Sequence, residues 1–303
     1  MALYGLLTVA ALALMGYAVT PRGRSVFFRR FAGGTQLQMA YLMVFAVVVI
    51  ALVALIVIRQ ATLAEEVAVF AALTACFALI VALLRNRIAS PPKTATPYTI
   101  LTVGAHPDDL EIACGGTLAR LADEGHKIHA IVMSDGRAGG DNSVRPTEAR
   151  NGAATMGLEK IEIHSLTDTR LEDHNMEMVD IIEAKINELK PDLILTHSSH
   201  DQHQDHKAVH FAVLRAARKQ PSILCFESPS VTSEFNPQLF IDITNYIDIK
   251  IHAVQDHRDQ AGKRYLRWDR LKGMANFRGA QGKLELAEGF EIVRLKDSIA
   301  GLK

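Results

Sequence analysis

Residues 98–136 read YTILTVGAHPDDLEIACGGTLARLADEGHKIHAIVMSDG, and this stretch decides the fold. Tyr98 to Val103 and Lys127 to Met133 are β-rich apolar runs, which is the composition of buried strands. Gly116 to Glu124, between them, has the pattern of a helix. A strand, a helix and a second strand in this order predict two parallel strands joined by the helix.

The same alternation continues along the chain. The further predicted elements are a helix from Pro146 to Met156, a strand from Ile161 to His164, a helix from Met178 to Leu189 and a strand from Asp192 to Thr196. They predict an α/β fold, a Rossmann-like domain of three layers with a mainly parallel sheet. In such sheets the ligand site lies beyond the carboxyl ends of the strands, where the strand order reverses. Polar clusters directly after the strands are therefore the candidate site.

The sequence before this domain contains long apolar runs. Three charge-free runs are each long enough to cross a bilayer, which takes about 17–25 residues; they are Ala2 to Val19, Leu37 to Ile58 and Val67 to Leu84. The first run has no basic residue before it and no small-residue cleavage site before Thr20, so we expect a retained helix rather than a signal peptide. A buried soluble hairpin is the alternative for the other two.

These runs predict a membrane region at 1–88, with three transmembrane helices at about 2–19, 37–58 and 67–84. A proline-containing linker at 89–97 then leads to the α/β domain at 98–303. Basic residues flank the first and third runs: Arg22, Arg24, Arg29, Arg30, Arg85, Arg87 and Lys93. The positive-inside rule therefore predicts a multi-pass integral membrane protein whose α/β domain lies in the cytoplasm.

The overall composition excludes some classes of protein. The 303 residues carry 33 basic and 33 acidic side chains, so no net field attracts a polyanion, and we expect no nucleic-acid partner. Cys76, Cys114 and Cys225 form no CxxC pair, which indicates neither a disulfide framework nor a cysteine zinc site.

The first polar cluster, AHPDD at 105–109, directly follows a predicted strand. An imidazole at His106 and a carboxylate at Asp109 can converge on one cation, while Asp108 points elsewhere with a free carboxylate. The alternative is a helix N-cap, in which the aspartates accept hydrogen bonds from free backbone amides.

The second cluster, HSSHDQHQDH at 197–206, follows the strand that ends at Thr196. Four histidines and two aspartates in ten residues are typical of ligands and proton carriers, although a non-specific metal-binding tract is the alternative. Two histidines and one carboxylate leave one position of a tetrahedral zinc ion open, which is typical of hydrolytic sites. Other divalent metals accept the same ligands.

The chain from about Tyr98 onwards resembles the LmbE-like family of zinc N-deacetylases, also called PIG-L. Members of this family remove acetyl from N-acetylglucosamine-type substrates. The stretches that resemble the family's motifs are Ala105 to Asp109, the glycine-rich turn Ser134 to Gly140, Arg145 to Glu148 and His203 to His206. In the last motif, Gln204 replaces the usual proline.

The resemblance implies roles for particular residues. His106, Asp109 and His206 would hold zinc, and Asp108 would accept the proton of the attacking water. His203, oriented by Asp205, would stabilise the oxyanion or protonate the leaving amine.

Further residues are weaker candidates. Arg145 is expected to bind substrate, with a solvated surface charge as the alternative. His257, together with His197 and His200, is expected at the rim of the site, and His257 is a second candidate for substrate binding.

The function predicted from these features is metal-dependent deacetylation of an N-acetylglucosamine-type sugar. The apolar helices favour a lipid-linked sugar, so the expected partners are a glycolipid or other N-acetylated sugar and membrane lipid. One alternative is a soluble N-acetylglucosaminyl conjugate, with the helices as an anchor only. Another is a membrane scaffold that binds sugar without catalysis, which the presence of all six candidate groups disfavours.

Overall fold

The structure is a computed structural model, and it describes residues 2–31, 33–57, 62–87 and 91–296. The chain divides into two compact units, Met1–Ser90 and Pro91–Lys303. The described part of the first unit is helical, and the second unit is built around a β-sheet.

The helices of the first unit fit a membrane region. They are α1 (Ala2–Val19), α2 (Pro21–Arg30), α3 (Gly34–Val57) and α4 (Thr62–Arg85). Within the described residues, Gly34–Val57 and Val67–Arg85 are each long and apolar enough to cross a membrane. The helices Tyr4–Val19 and Gly23–Arg30 are long and apolar enough to cross a membrane only if they form one span together, and the bend between them is 71°. The described residues therefore contain two or three candidate membrane spans. The three spans predicted from the sequence equal the larger of these counts.

Helix α2 was not predicted from the sequence. The side-chain oxygen of Thr20 accepts a hydrogen bond from the amide of Gly23 at 3.0 Å, and Pro21 occupies the first turn. Both features are ordinary helix-start signals. Ile58, which ends the second predicted run, and the first residues of the predicted linker lie outside the described residues.

The described residues of the second unit form a seven-stranded sheet in the order β3-β2-β1-β4-β5-β7-β6. The strands are β1 (Thr99–Gly104), β2 (Lys127–Ser134), β3 (Lys160–Leu166), β4 (Leu193–Thr196), β5 (Ile223–Phe226), β6 (Leu239–Asp242) and β7 (Ala287–Arg294). The first five are parallel, and β7 runs antiparallel to β5 and β6. The mainly parallel sheet is confirmed. The strand order reverses at β1, which pairs with β2 on one side and β4 on the other, so a crevice opens beyond their carboxyl ends.

Helices cover both faces of this sheet. They are α5 (Asp109–Asp123), α6 (Arg145–Met156), α7 (Asn175–Leu189), α8 (Gln204–Ala216), α9 (Ile247–Gln255) and α10 (Trp268–Gly282). Helices α7 and α8 pack on one face, where Leu101, Met178 and Val213 belong to one buried cluster. Helices α5, α6 and α9 contact one another on the other face. Strand β1 is buried after its first residue, as expected for a strand covered on both sides.

Helix α5 begins at Asp109 rather than at the predicted Gly116, and it is kinked at Cys114, where φ is −138°. After the kink, the carboxylate of Glu288 accepts hydrogen bonds from the amides of Gly116 at 3.1 Å and Thr117 at 2.7 Å. Glu288 thus caps the second segment of α5 from β7. The local pattern predicted only this segment.

Candidate metal centre and active site

The sheet brings the two polar clusters of the sequence together. Strands β1 and β4 are neighbours, with Leu101 opposite Ile194, and their carboxyl ends meet at the point where the strand order reverses. The cluster after β1 and the cluster after β4 therefore share one crevice, although almost a hundred residues separate them. The expected position of the site at the strand ends agrees with this arrangement.

The three predicted metal ligands converge in the crevice. Oδ2 of Asp109 lies 3.5 Å from Nδ1 of His106, and Oδ1 lies 3.3 Å from Nε2 of His206. All three residues are buried. Asp109 is held by the backbone, because its Oδ2 accepts hydrogen bonds from the amides of Ala105 at 3.0 Å and His106 at 2.7 Å. That these three residues bind the metal stays a prediction.

Asp201 fixes the ring of His206. Its Oδ2 lies 2.8 Å from Nδ1 of His206, and the hydroxyls of Ser228 and Ser230 donate to the same carboxylate at 2.5 and 2.7 Å. A carboxylate on one ring nitrogen leaves the other free to bind a metal, which is the usual arrangement around ligand histidines. Asp201 lies in the histidine-rich cluster of the sequence, but no role was predicted for it from the sequence.

His106 is held by two carboxylates at its Nε2, from Asp205 at 3.0 Å and Asp168 at 3.2 Å. The family resemblance implied that Asp205 would orient His203 instead. The carboxylate of Asp205 is turned towards His106 because the amides of Thr169 and Leu171 also donate to it, at 2.7 and 3.0 Å. Asp168 was missed, although it follows β3 at the same edge of the sheet.

His197 lies on the floor of the site rather than at its rim. It is fully buried, its Nε2 is 3.1 Å from Oδ2 of Asp109, and its ring stacks on that of His206 with 3.9 Å between centroids. Burial, followed by the charge of His206, lowers the pKa of His197 to about 4. His197 is therefore a neutral imidazole. His200 does lie at the surface, where its Nδ1 is 2.8 Å from a carboxylate oxygen of Glu291.

The electrostatics of the cluster fit a bound cation. Burial by itself lowers the pKa of His206, but Asp109 and Asp201 outweigh it and raise this pKa to about 9. Burial is likewise outweighed at His106, whose pKa is raised by Asp109, Asp168 and Asp205. Buried imidazoles that hold a proton this strongly mark a site that favours positive charge.

The donor atoms also have suitable spacing. Three sets of ligand atoms each lie within 4.8 Å of one another: His106, His203 and His206; Asp109, His197 and His206; and His106, Asp168 and Asp205. The predicted set shares two members with each of the first two sets. Imidazole and carboxylate donors in this mixture suit zinc and related divalent ions, so the residues present fit a divalent metal.

Asp108 is buried beside the ligands and has a strained backbone, with φ of 116°. Burial, followed by the negative charge of Asp109, raises its pKa to about 6. Nη2 of Arg145 lies 3.4 Å from Oδ1 of Asp108, and it donates to the carbonyl of Pro107 at 2.8 Å. Arg145 is buried and is not a solvated surface charge. Nη1 of Arg145 also donates a hydrogen bond to the carbonyl of Gly136, at 2.5 Å.

A cavity of about 350 Å³ opens onto these groups, and we call it the catalytic cavity. It is lined by His106, Asp108, Asp109, Arg145, Asp168, His203 and His206, among others. His257 is buried behind this wall, with Nε2 3.4 Å from Oε1 of Glu111, and it is not among the described residues that line the cavity. No contact in the described part of the chain therefore supports its predicted role in substrate binding.

Fold and site together define a Rossmann-like domain with a buried cluster of residues that fit a divalent metal. Residues 101–217 match the family model described as PIG-L: GlcNAc-PI de-N-acetylase. A relative in Escherichia coli K12, described as the uncharacterized deacetylase YaiS, is 37% identical over 166 residues, which are 52% of this chain and 90% of the relative. The chain belongs to the PIG-L family. Deacetylases of this family are metal-dependent.

Two more comparisons bear on the fold and the chemistry. The structure of N,N'-diacetylchitobiose deacetylase from Pyrococcus horikoshii matches with a TM-score of 0.56 and 22% identity, over 65% of this chain and 84% of that chain. The α/β domain of this chain and that deacetylase therefore share one fold. A 4-oxalmesaconate hydratase of Pseudomonas putida is 26% identical over 227 residues, 64% of this chain and 83% of the relative. The fold thus occurs with more than one reaction, and the residues of the site must carry the assignment.

Proposed function

We propose that this protein is a zinc-dependent N-deacetylase that hydrolyses the acetamide of an N-acetylglucosamine-type sugar carried on a lipid. The observation that carries the proposal is the position of Asp108, a buried carboxylate with a raised pKa beside a set of metal ligands. Hydrolysis of an amide needs a base for water at that place, whereas a protein that only binds sugar does not.

His106, Asp109 and His206 are the residues that would hold zinc. When bound, zinc polarises the amide carbonyl and makes water more acidic. Asp108 accepts the proton of the attacking water. Its pKa of about 6 leaves it ionised at neutral pH but close enough to that pH to hold a proton during the reaction.

Two alternative roles are predicted for His203, stabilising the oxyanion and protonating the leaving amine, and its surroundings support the first. The backbone amide of Asp205 donates to its Nδ1 at 3.2 Å, so Nδ1 acts as an acceptor and a neutral ring carries its proton on Nε2. Burial, followed by the charges of His206 and His106, lowers the pKa of His203, which favours this neutral form. A neutral imidazole with a proton on Nε2 can donate a hydrogen bond to the reacting group.

The membrane region supports a lipid-linked substrate. An enzyme with its own membrane spans meets membrane-bound substrates at a high effective concentration. The basic residues after the first and third apolar runs support a multi-pass topology with the catalytic unit in the cytoplasm. The second candidate is a soluble N-acetylglucosaminyl conjugate as substrate, with the helices as an anchor only.

The metal assignment is tested by replacing His106, Asp109 and His206 together with alanine. We expect purified wild-type protein to carry about one zinc per chain by elemental analysis and the triple variant to carry almost none. Stoichiometric zinc on the triple variant would show that other residues bind it.

The activity is tested by incubating the full-length protein with a panel of N-acetyl sugars and with native lipid extract. Mass spectrometry should detect loss of an acetyl unit, and release of acetate should match it. Hydration of an unsaturated acid with no acetate release from any sugar would contradict the proposal. Turnover of soluble conjugates but not of lipid fractions would favour the second candidate.

A further inference from the structure

A strongly basic segment lies near the end of the chain, at residues 263–283. It carries seven basic side chains and one acidic side chain, whereas the whole chain has equal numbers of each. Arg267 pairs with Asp269, and Arg278 pairs with Glu227. Within the residues that the structure describes, the other five form no ion pair: Lys263, Arg264, Arg270, Lys272 and Lys283. The segment therefore has a local positive charge that the chain's own carboxylates do not neutralise.

Apolar and basic side chains of this segment are exposed together on one side of the domain. Tyr265 is 41% exposed, Met274 is 47% exposed and Phe277 is 55% exposed, and Arg264 and Arg270 are also exposed. These five residues all line one cavity of about 650 Å³ along α10, so they lie close to one another. We call them the α10 surface. Exposed apolar residues grouped in this way are typical of an interaction surface.

The α10 surface borders the catalytic cavity. Tyr265 lines both cavities, and so do Ile112 and Pro229. Lys263, just before the surface, lines the catalytic cavity. Whatever covers the α10 surface therefore lies directly beside the proposed site of catalysis.

The chain itself favours a lipid bilayer as the partner. Basic side chains bind anionic headgroups, and aromatic side chains are enriched at the boundary between membrane and water. Two helices, Gly34–Val57 and Val67–Arg85, are long and apolar enough to cross a membrane. Only residues 86–98 connect α4 to β1, and a chain of this length spans at most about 50 Å. The second unit is therefore tethered to any bilayer that α4 crosses.

A second copy of the chain fits the α10 surface less well. In a two-fold dimer through this surface, the same patch meets itself. Arg264 and Arg270 would then face their own copies without a carboxylate between them, and like charges that meet in this way weaken association. Anionic headgroups, in contrast, complement both the charge and the exposed apolar side chains.

We propose that the α10 surface docks the second unit on the anionic headgroups of the bilayer. Arg264 and Arg270 bind lipid phosphates there, while Met274 and Phe277 enter the boundary between headgroups and acyl chains. The partner is the lipid surface itself, and the contact is additional to the membrane spans. The inference does not rest on the proposed function, because docking needs no turnover.

Trp268 reports this docking because it is the single tryptophan of the chain. It is 60% exposed at the first position of α10, and about 9 Å along the helix axis separates it from Met274. Full-length protein would be reconstituted in phosphatidylcholine vesicles with and without phosphatidylglycerol, with brominated lipid as the quencher of tryptophan fluorescence. We expect strong quenching in the anionic vesicles, and weaker quenching in neutral vesicles or at high salt. Equal quenching in both kinds of vesicle, or none in either, would overturn the inference.

Matched variants test the charge. Arg264→Gln with Arg270→Gln should lower the ratio of docked to undocked protein by about fivefold for each charge removed. Arg264→Lys with Arg270→Lys keeps both charges and should dock like wild type, which separates loss of charge from loss of fold. Lys207→Gln with Lys219→Gln removes two exposed lysines on the side of α8 and should also dock like wild type. Unchanged docking of the double glutamine variant at Arg264 and Arg270 would overturn the inference.

A second pair of variants tests the apolar contact. Phe277→Gln should weaken docking by up to about tenfold, because a phenylalanine that enters the membrane boundary loses much of its contact with water. Phe211→Gln is the control, because Phe211 is 50% exposed on α8, and docking should not change. Equal effects of the two replacements would contradict insertion of Phe277.

Acrylamide, a quencher that stays in water, distinguishes the other partners of this surface. Shielding of Trp268 from acrylamide without quenching by brominated lipid would mean that a protein covers the α10 surface. If this shielding rises with the density of protein in the vesicles, the protein is a second copy of the chain. Either result would overturn docking on the bilayer.

Discussion

Replacement of Asp108 by asparagine should remove most of the activity and leave the fold and the metal site intact. Asp108 has φ of 116° at the start of α5, and asparagine tolerates such left-handed backbone better than most residues. The amide oxygen of asparagine can still accept the hydrogen bond from Arg145, whose Nη2 lies 3.4 Å from Oδ1 of Asp108. The change therefore removes the basic oxygen and little else.

The size of the effect follows from the role of a general base. Such groups contribute about 10²–10⁴-fold to the rate, so kcat should fall by this factor, which corresponds to about 3–5 kcal/mol of activation free energy. Stability should not fall. Burial and the charge of Asp109 raise the pKa of Asp108 to about 6, which means that the folded state disfavours its negative charge, and neutral asparagine removes that charge.

The assay compares kcat from acetate release, metal content from elemental analysis and the thermal unfolding midpoint. Asp173→Asn is the matched control, because the side chain of Asp173 is half exposed and pairs with Arg170 away from the catalytic cavity. Full metal content in the Asp108 variant with kcat within about threefold of wild type would refute the base assignment.

Three further predictions follow from other parts of the chain. Asp201→Asn should weaken metal affinity by about 10–100-fold, measured by competition with a chelator, because it loosens the ring of His206; unchanged affinity would contradict this. Gly136→Ala should destabilise the fold by about 1–3 kcal/mol in thermal unfolding, because φ is +72° there and the new Cβ meets the buried guanidinium of Arg145. If Gly136→Ala unfolds at the same temperature as wild type, the backbone at this position does not require glycine. A periplasm-active reporter fused after Lys303 should be inactive if the catalytic unit is cytoplasmic, and an active reporter would reverse the proposed topology.

Much of the sheet could be predicted from the sequence because its strands are local features. Strands β1, β2 and β4 lie within one residue of the predicted bounds, since a parallel strand buried on both faces is a continuous apolar run. The predicted metal ligands also converge as the strand order implies. The strand bounds depend only on short stretches, whereas the convergence of the ligands also depends on the pairing of β1 with β4.

The sequence by itself determined the fold class, the two polar clusters and the apolar N-terminal helices, because each is a pattern within a few consecutive residues. Only the tertiary structure decided the partners of these groups. Asp168 and Asp205 meet at His106, Glu288 caps α5 from β7, and α10 forms one wall of a cavity beside the site. These contacts join segments far apart in the chain, and neither propensity nor periodicity encodes such contacts, since they arise when distant elements pack together.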